Sequence, residues 1–128
     1  MRLLVDASAV LAVLLDEPGS IDAAALLNDA AISSVNLSEV YRKLVDGEMA
    51  LADAVEEVGR FRLKSIPFDD LQAAEAARLR PATRQFGLSL ADRACVGLAI
   101  LEGYVVITAD RRMAESKTVL GIDIRMIR

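Results

Sequence analysis

The 128-residue chain contains no histidine and no tryptophan, a single cysteine, and only 4% aromatic residues. Without histidine, imidazole acid–base catalysis and His-ligated zinc are both excluded. The lone Cys95 can form neither an intrachain disulfide nor a thiolate cluster, and it fits a reducing compartment. So few aromatics argue against an extended platform for base stacking. The N-terminal apolar run LLVDASAVLAVLL, Leu3 to Leu15, falls short of the ~20 residues a membrane span needs. It is also cut by Asp6, which spoils the apolar region of a secretory signal. A cytoplasmic protein with no membrane association is therefore expected. Net charge of −4 and a pI near 4.8 argue against binding nucleic acid through broad surface charge, so this chain alone is not expected to bind DNA.

What the chain does have is a core. Apolar content of 54% with 27% charged residues describes one ordered domain over residues 1–128. Residues 2–5 form a short apolar run of the kind buried in parallel sheets, and a helix follows over about 8–15. Ser20 opens a second helix, residues 31–34 are short enough for a strand, and residues 37–46 carry an apolar helical stripe ended by Gly47. A further helix is expected over about 49–62, and an edge strand over 64–68, weakened by Pro67. An Ala-rich helix at 69–80 breaks at Pro81, and from Ala94 to Leu101 nearly every face of the next helix is apolar. Strands at 104–107 and about 122–127 complete the pattern. Alternating strands and helices imply an α/β fold of three layers, with a central, mostly parallel sheet flanked by helices.

Four acids occupy equivalent places in that pattern. Asp6 follows the first strand and Asp110 follows the strand at 104–107, while Glu39 and Asp92 are each expected in the first turn of a helix. In an open parallel sheet, strand C-termini and the helix starts beyond them share the edge where ligands bind. Each acid also has a plainer explanation. Asn36-x-x-Glu39 and Ser89-x-x-Asp92 resemble capping boxes, and Asp6 (or Ser8) and Asp110 could cap helices. Together, however, four carboxylates in a small site repel unless a cation joins them. With oxygen ligands alone, Mg²⁺ or Mn²⁺ is the fitting ion, able to activate water and grip a phosphate. Setting these four aside from the 19 acids leaves 15, equal to the 15 Lys and Arg, so the rest of the chain is formally neutral.

The segments LLVDASAVLAVLLDEP, SSVNLSEV, GLSLADRACVGLAI and VVITADRR, in this order, resemble the successive motifs of PIN-domain ribonucleases, and most closely those of VapC-type toxins. The likeness runs from residue 2 to the terminal GIDIRMIR. It implies a Mg²⁺- or Mn²⁺-dependent endoribonuclease with Asp6, Glu39, Asp92 and Asp110 as its metal-binding and catalytic acids. It further implies supporting hydroxyls at Ser8 and Thr108, a cognate VapB-like antitoxin as partner, and a homodimer. Hydrolysis would leave a 5′-phosphate without attack by the 2′-hydroxyl. Within the same class, an RNA-processing nuclease free of antitoxin control remains the alternative, and outside it a catalytically silent binding protein whose acids are only caps.

Basic residues near the acids are candidate phosphate contacts: Arg93 and Arg112 foremost, then Arg111, Arg42 and Lys43, with Arg78, Arg80 and Arg84 as a looser patch. The plainer reading leaves them solvated or paired, as in an i,i+4 contact between Glu39 and Lys43. Cys95 reads as packing. A dehalogenase-like phosphatase would need a second Asp where Ser8 stands, and a response-regulator receiver would need paired early acids and a Lys after a late strand.

Overall fold

Alternation along three short strands sets the layers. The computed structural model describes all 128 residues, the side chain of Asp22 excepted. In its first half, β1 (Leu3–Val5), α1 (Ala7–Leu14), α2 (Ser20–Leu27), β2 (Ala31–Ser33), α3 (Ser34–Asp46) and α4 (Leu51–Gly59) follow one another. The second half runs β3 (Lys64–Ile66), α5 (Asp70–Arg78), α6 (Arg80–Thr83), a 3₁₀ turn (Arg84–Phe86), α7 (Leu90–Glu102), β4 (Val105–Thr108), α8 (Arg111–Glu115), α9 (Lys117–Leu120) and β5 (Ile124–Met126). Successive strand residues face opposite sides of a sheet. Val5, Ile32 and Ile107 accordingly enter one core with Val10, Leu27, Val40 and Val58 of α1–α4, while Leu4, Ala31 and Val106 enter the other with Cys95, Leu98 and Met113. Residues 94–99 of α7 are all buried, because α7 is packed between the sheet, α3 and α5. No helix is long and apolar enough to cross a membrane, among the described residues.

The five strands lie in the order β3-β2-β1-β4-β5, and every pairing is parallel. The sheet is thus wholly rather than mostly parallel, and β3 is an edge as Pro67 suggests. From β1 the chain winds outward to β2 and β3, then returns to the other side of β1 for β4 and β5. This reversal opens a crevice at the carboxyl ends of β1 and β4, the place where ligands bind in such sheets. Val5 pairs with Ile107 there, so Asp6 and Thr108 emerge side by side.

One boundary differs in a way that matters. α3 begins at Ser34 rather than residue 37, because Ser33 ends β2 and at once caps the helix through its hydroxyl, which accepts from the Val35 N–H at 3.2 Å. Asn36 is therefore inside the helix and is not its cap, and Glu39 lies in the second turn rather than the first.

The return of the chain to the C-terminal strand constrains Gly19. Its φ is +89°, and a Cβ placed on it would stand 2.5 Å from the Ile127 carbonyl oxygen. Both the left-handed conformation and the backbone clash disfavour any side chain. Gly19→Ala is expected to destabilise the fold by more than ~2 kcal/mol in urea unfolding, and unchanged stability would show that this contact is easily released.

Candidate active site

Asp6 leaves β1 in extended conformation and caps α1, its Oδ1 accepting from the Ala9 N–H at 3.0 Å. The same oxygen accepts from Ser8 Oγ at 2.7 Å, and Oδ2 accepts from Thr108 Oγ1 at 2.5 Å. Only 5% of the residue is exposed. Burial dominates its ionisation and pushes the carboxyl from 3.8 up to about 6; the Thr108, Ser8 and Ala9 hydrogen bonds oppose that rise, and the Asp92 charge adds to it.

The hydroxyls around Asp6 have their protons allotted. Ser8 Oγ accepts from the Ala109 N–H at 2.9 Å and Thr108 Oγ1 from the Asp110 N–H at 2.9 Å. When Asp6 is ionised, each hydroxyl donates its one proton to the carboxylate. The 3.1 Å separation of Ser8 Oγ and Thr108 Oγ1 then carries no proton. Protonating Asp6 on Oδ2 lets Thr108 turn and donate to Ser8. This net accepts either state of Asp6 and ties the ends of β1 and β4 together.

The other three acids arrive from separate elements. Asp92 completes a capping box with Ser89 at the start of α7: its Oδ2 accepts from the Ser89 N–H at 2.9 Å while Ser89 Oγ accepts from the Asp92 N–H. Asp110 caps α8 through the Arg112 N–H at 2.9 Å. Glu39 caps nothing. Burial, followed by the Asp92 charge, raises its carboxyl above the ordinary value against the pull of Arg42 and Lys43. All four acids line one cavity of about 340 Å³, together with Ser8, Leu11, Leu15, Glu17, Asn36, Lys43, Ser89 and Arg112.

Arg112 is the cavity-wall cation that reaches the acids. Its guanidinium lies 3.0 Å from Asp110 Oδ2 and 3.9 Å from Asp92 Oδ2, and Nη1 donates to the Gly87 carbonyl at 3.0 Å. Among the described residues no three Asp, Glu or Cys side chains are grouped closely enough to hold a metal ion as they stand. The donor chemistry nonetheless fits a hard divalent ion, since the wall carries the carboxylates of all four acids.

Several basic candidates lie elsewhere. Arg93 is no part of the cavity wall; its guanidinium turns to α5 and donates to the Ala76 carbonyl at 2.9 Å. Arg42 pairs with Asp46 at 2.9 Å and Arg78 with Glu75, while the expected Glu39–Lys43 ion pair does not form. Arg111 borders an adjoining surface cleft with Met126 and Arg128. Cys95 is fully buried, and burial pushes its thiol well up, which suits packing and not nucleophilic chemistry. Sequence reasoning took Asn36 only as a cap, although its position three residues before Glu39 puts both on one helix face. Glu17, joined to Arg128 at 3.3 Å, carried no sequence signal as a wall residue. A second cavity, of about 290 Å³, opens at the opposite edge among Arg2, Leu26, Asp29 and Tyr104 and gathers no set of acids.

Comparison with known proteins gives a consistent fold. Residues 3–117 match the PIN domain family. No curated protein sequence matches significantly. Among solved structures, DNA-bound VapBC from Salmonella typhimurium is similar at 21% identity and TM-score 0.75, covering 100% of this chain and 99% of that one. VapBC2 from Rickettsia felis, bound to a DNA fragment from their promoter, gives 21% and 0.74 with 98% of each chain covered. PAE2754 from Pyrobaculum aerophilum gives 22% and 0.60 over 94% of this chain and 88% of that one.

Proposed function

The chain belongs to the PIN domain family, and from that premise we propose that it is a Mg²⁺- or Mn²⁺-dependent endoribonuclease, the toxin of a VapBC-type pair. The observation that carries this reading is the convergence of Asp6, Glu39, Asp92 and Asp110, from four separate segments, on one cavity at the sheet's switch point. A bound cation would supply Lewis-acid activation of water and charge compensation at the phosphate. The chain's own residues supply placement. Ser8 and Thr108 pin both oxygens of Asp6, and the Ser89 box fixes Asp92. Arg112, at the cavity mouth, presents a planar fork suited to a phosphate. Arg93, spent on α5, takes no such part.

Being a cap and being a ligand are compatible here. A carboxylate has about four lone-pair sites: the three hydrogen bonds that Asp6 accepts leave it about one for the cavity, and Asp92, which accepts one from Ser89, keeps more. Two of the similar structures are VapBC complexes bound to DNA, which supports a VapB-like antitoxin as this protein's partner, with DNA contact assigned to the partner. A homodimer in the cytoplasm completes the reading.

The test is cleavage of a mixed RNA pool by purified protein with Mg²⁺, with Mn²⁺ and with EDTA. Cutting that needs a divalent ion and leaves 5′-phosphate ends is expected. A folded protein that neither cuts RNA nor gains thermal stability from either ion would be a silent PIN-fold binding protein instead.

A further inference from the structure

Asn36 is 1% exposed and lies in the cavity wall, one helical turn before Glu39 on the same face of α3. Its Nδ2 donates to the Ala91 carbonyl at 2.8 Å, joining α3 to the turn of α7 that carries Asp92. That bond settles which end of the amide is oxygen, because a carbonyl can only accept. Oδ1 must then point away from Ala91, and it has no hydrogen-bond partner. Three buried side-chain atoms lack partners among the described residues: Asn36 Oδ1, Gln72 Oε1 and Arg93 Nε. Only the first is carried by a residue that lines the acid-lined cavity.

A buried acceptor of this kind destabilises the fold when nothing satisfies it. Glu39, on the same face of α3, and Asp92, next to Ala91 on α7, are acceptors too when ionised. Arg112 is spent on Asp110 and Gly87, and Lys43 lies two helical turns further along α3. What such an oxygen lacks is a proton donor or a cation. Hydrated Mg²⁺ brings both, since it usually retains several waters in a protein site.

Resting on the metal-dependent reading above, we propose that Asn36 Oδ1 is a fifth oxygen of the cation site, holding the hydrated ion between Glu39 and Asp92. Asn36 is thereby a positioning residue that acts on the ion, and its Nδ2 bond keeps the oxygen aimed. The near-isosteric Asn36→Leu removes the oxygen without adding charge. In calorimetric titration with Mn²⁺ it is expected to bind about tenfold more weakly than wild type, with circular dichroism and melting in EDTA verifying the fold. The second measurement needs no variant. In ¹⁵N-labelled wild type, the Asn36 side-chain amide resonance is expected to move with added Mg²⁺ and saturate together with the backbone signals of Glu39 and Asp92.

Wild-type Mn²⁺ affinity in a folded Asn36→Leu overturns the proposal alone, as does an Asn36 amide that stays still while the Glu39 and Asp92 signals move. A wild-type protein that binds neither ion overturns the metal-dependent reading along with it.

Discussion

Asp6→Asn is expected to abolish metal-dependent RNA cleavage while making the metal-free protein more stable, and both effects have one cause. The Asp6 carboxyl is pushed from 3.8 to about 6 chiefly by burial. A group whose ionisation is disfavoured in the folded state contributes its full stability below its unfolded value. That stability is lost as pH rises through the folded value. In EDTA the wild-type protein should therefore lose roughly 3 kcal/mol between about pH 4 and pH 7 from this group alone. Asn fits the same net without the charge: Oδ1 accepts from Ala9 and Ser8, Nδ2 donates to Thr108, and Thr108 turns to donate to Ser8 across the 3.1 Å gap. Some hydrogen-bond strength goes with the charge, so the net gain at pH 7.5 is about 1–3 kcal/mol. Cleavage should fall by at least roughly 10²–10³-fold, the scale of removing a main electrostatic stabiliser. Urea unfolding in EDTA at pH 5 and pH 7.5, beside single-turnover cleavage, reads both. A variant that is less stable at pH 7.5 would mean Asp6 is held by its hydrogen bonds more firmly than burial opposes it, and retained cleavage would remove it from the site.

The layered α/β fold was legible because apolar runs, caps and Gly stops are local signals. Asp6, Asp92 and Asp110 do cap helices, so the capping reading of each was correct and yet excluded nothing. The first-turn placement of Glu39 failed for a local reason: β2 passes into α3 without a loop, and Ser33 serves both elements. The strand order was not legible. β4 lies beside β1 through a pairing about a hundred residues apart in sequence, and nothing in either strand names its neighbour. Arg93 shows the limit of adjacency. One residue along a helix is a turn of about 100°, so the neighbour of Asp92 faces α5 and not the cavity. Arg112, picked out by the same nearness to an acid, does line the cavity, where its guanidinium grips Asp110.

Arg112→Gln separates two properties that usually fall together. In the metal-free protein the guanidinium compensates Asp110 directly and Asp92 at longer range. Its side chain is 55% exposed, so solvent screens the pair and the contact is only moderately strong. A cation entering the acid-lined cavity competes with that contact. Removing the guanidinium should tighten Mn²⁺ binding about three- to tenfold, the effect of about 1 kcal/mol of relieved competition. RNA cleavage should fall about 10–100-fold over the same substitution, because the fork that would meet a phosphate is gone. Arg112→Lys keeps a charge but cannot span two carboxylate oxygens and the Gly87 carbonyl at once. It should therefore bind Mn²⁺ near the wild-type level and still cleave poorly. Opposite movement of affinity and rate is the decisive sign. If both fell in Arg112→Gln, the residue would be holding Gly87 and Asp110 in place, and its role would be structural. If both stayed at wild-type values, the guanidinium would be a surface contact that neither the ion nor the RNA has to displace.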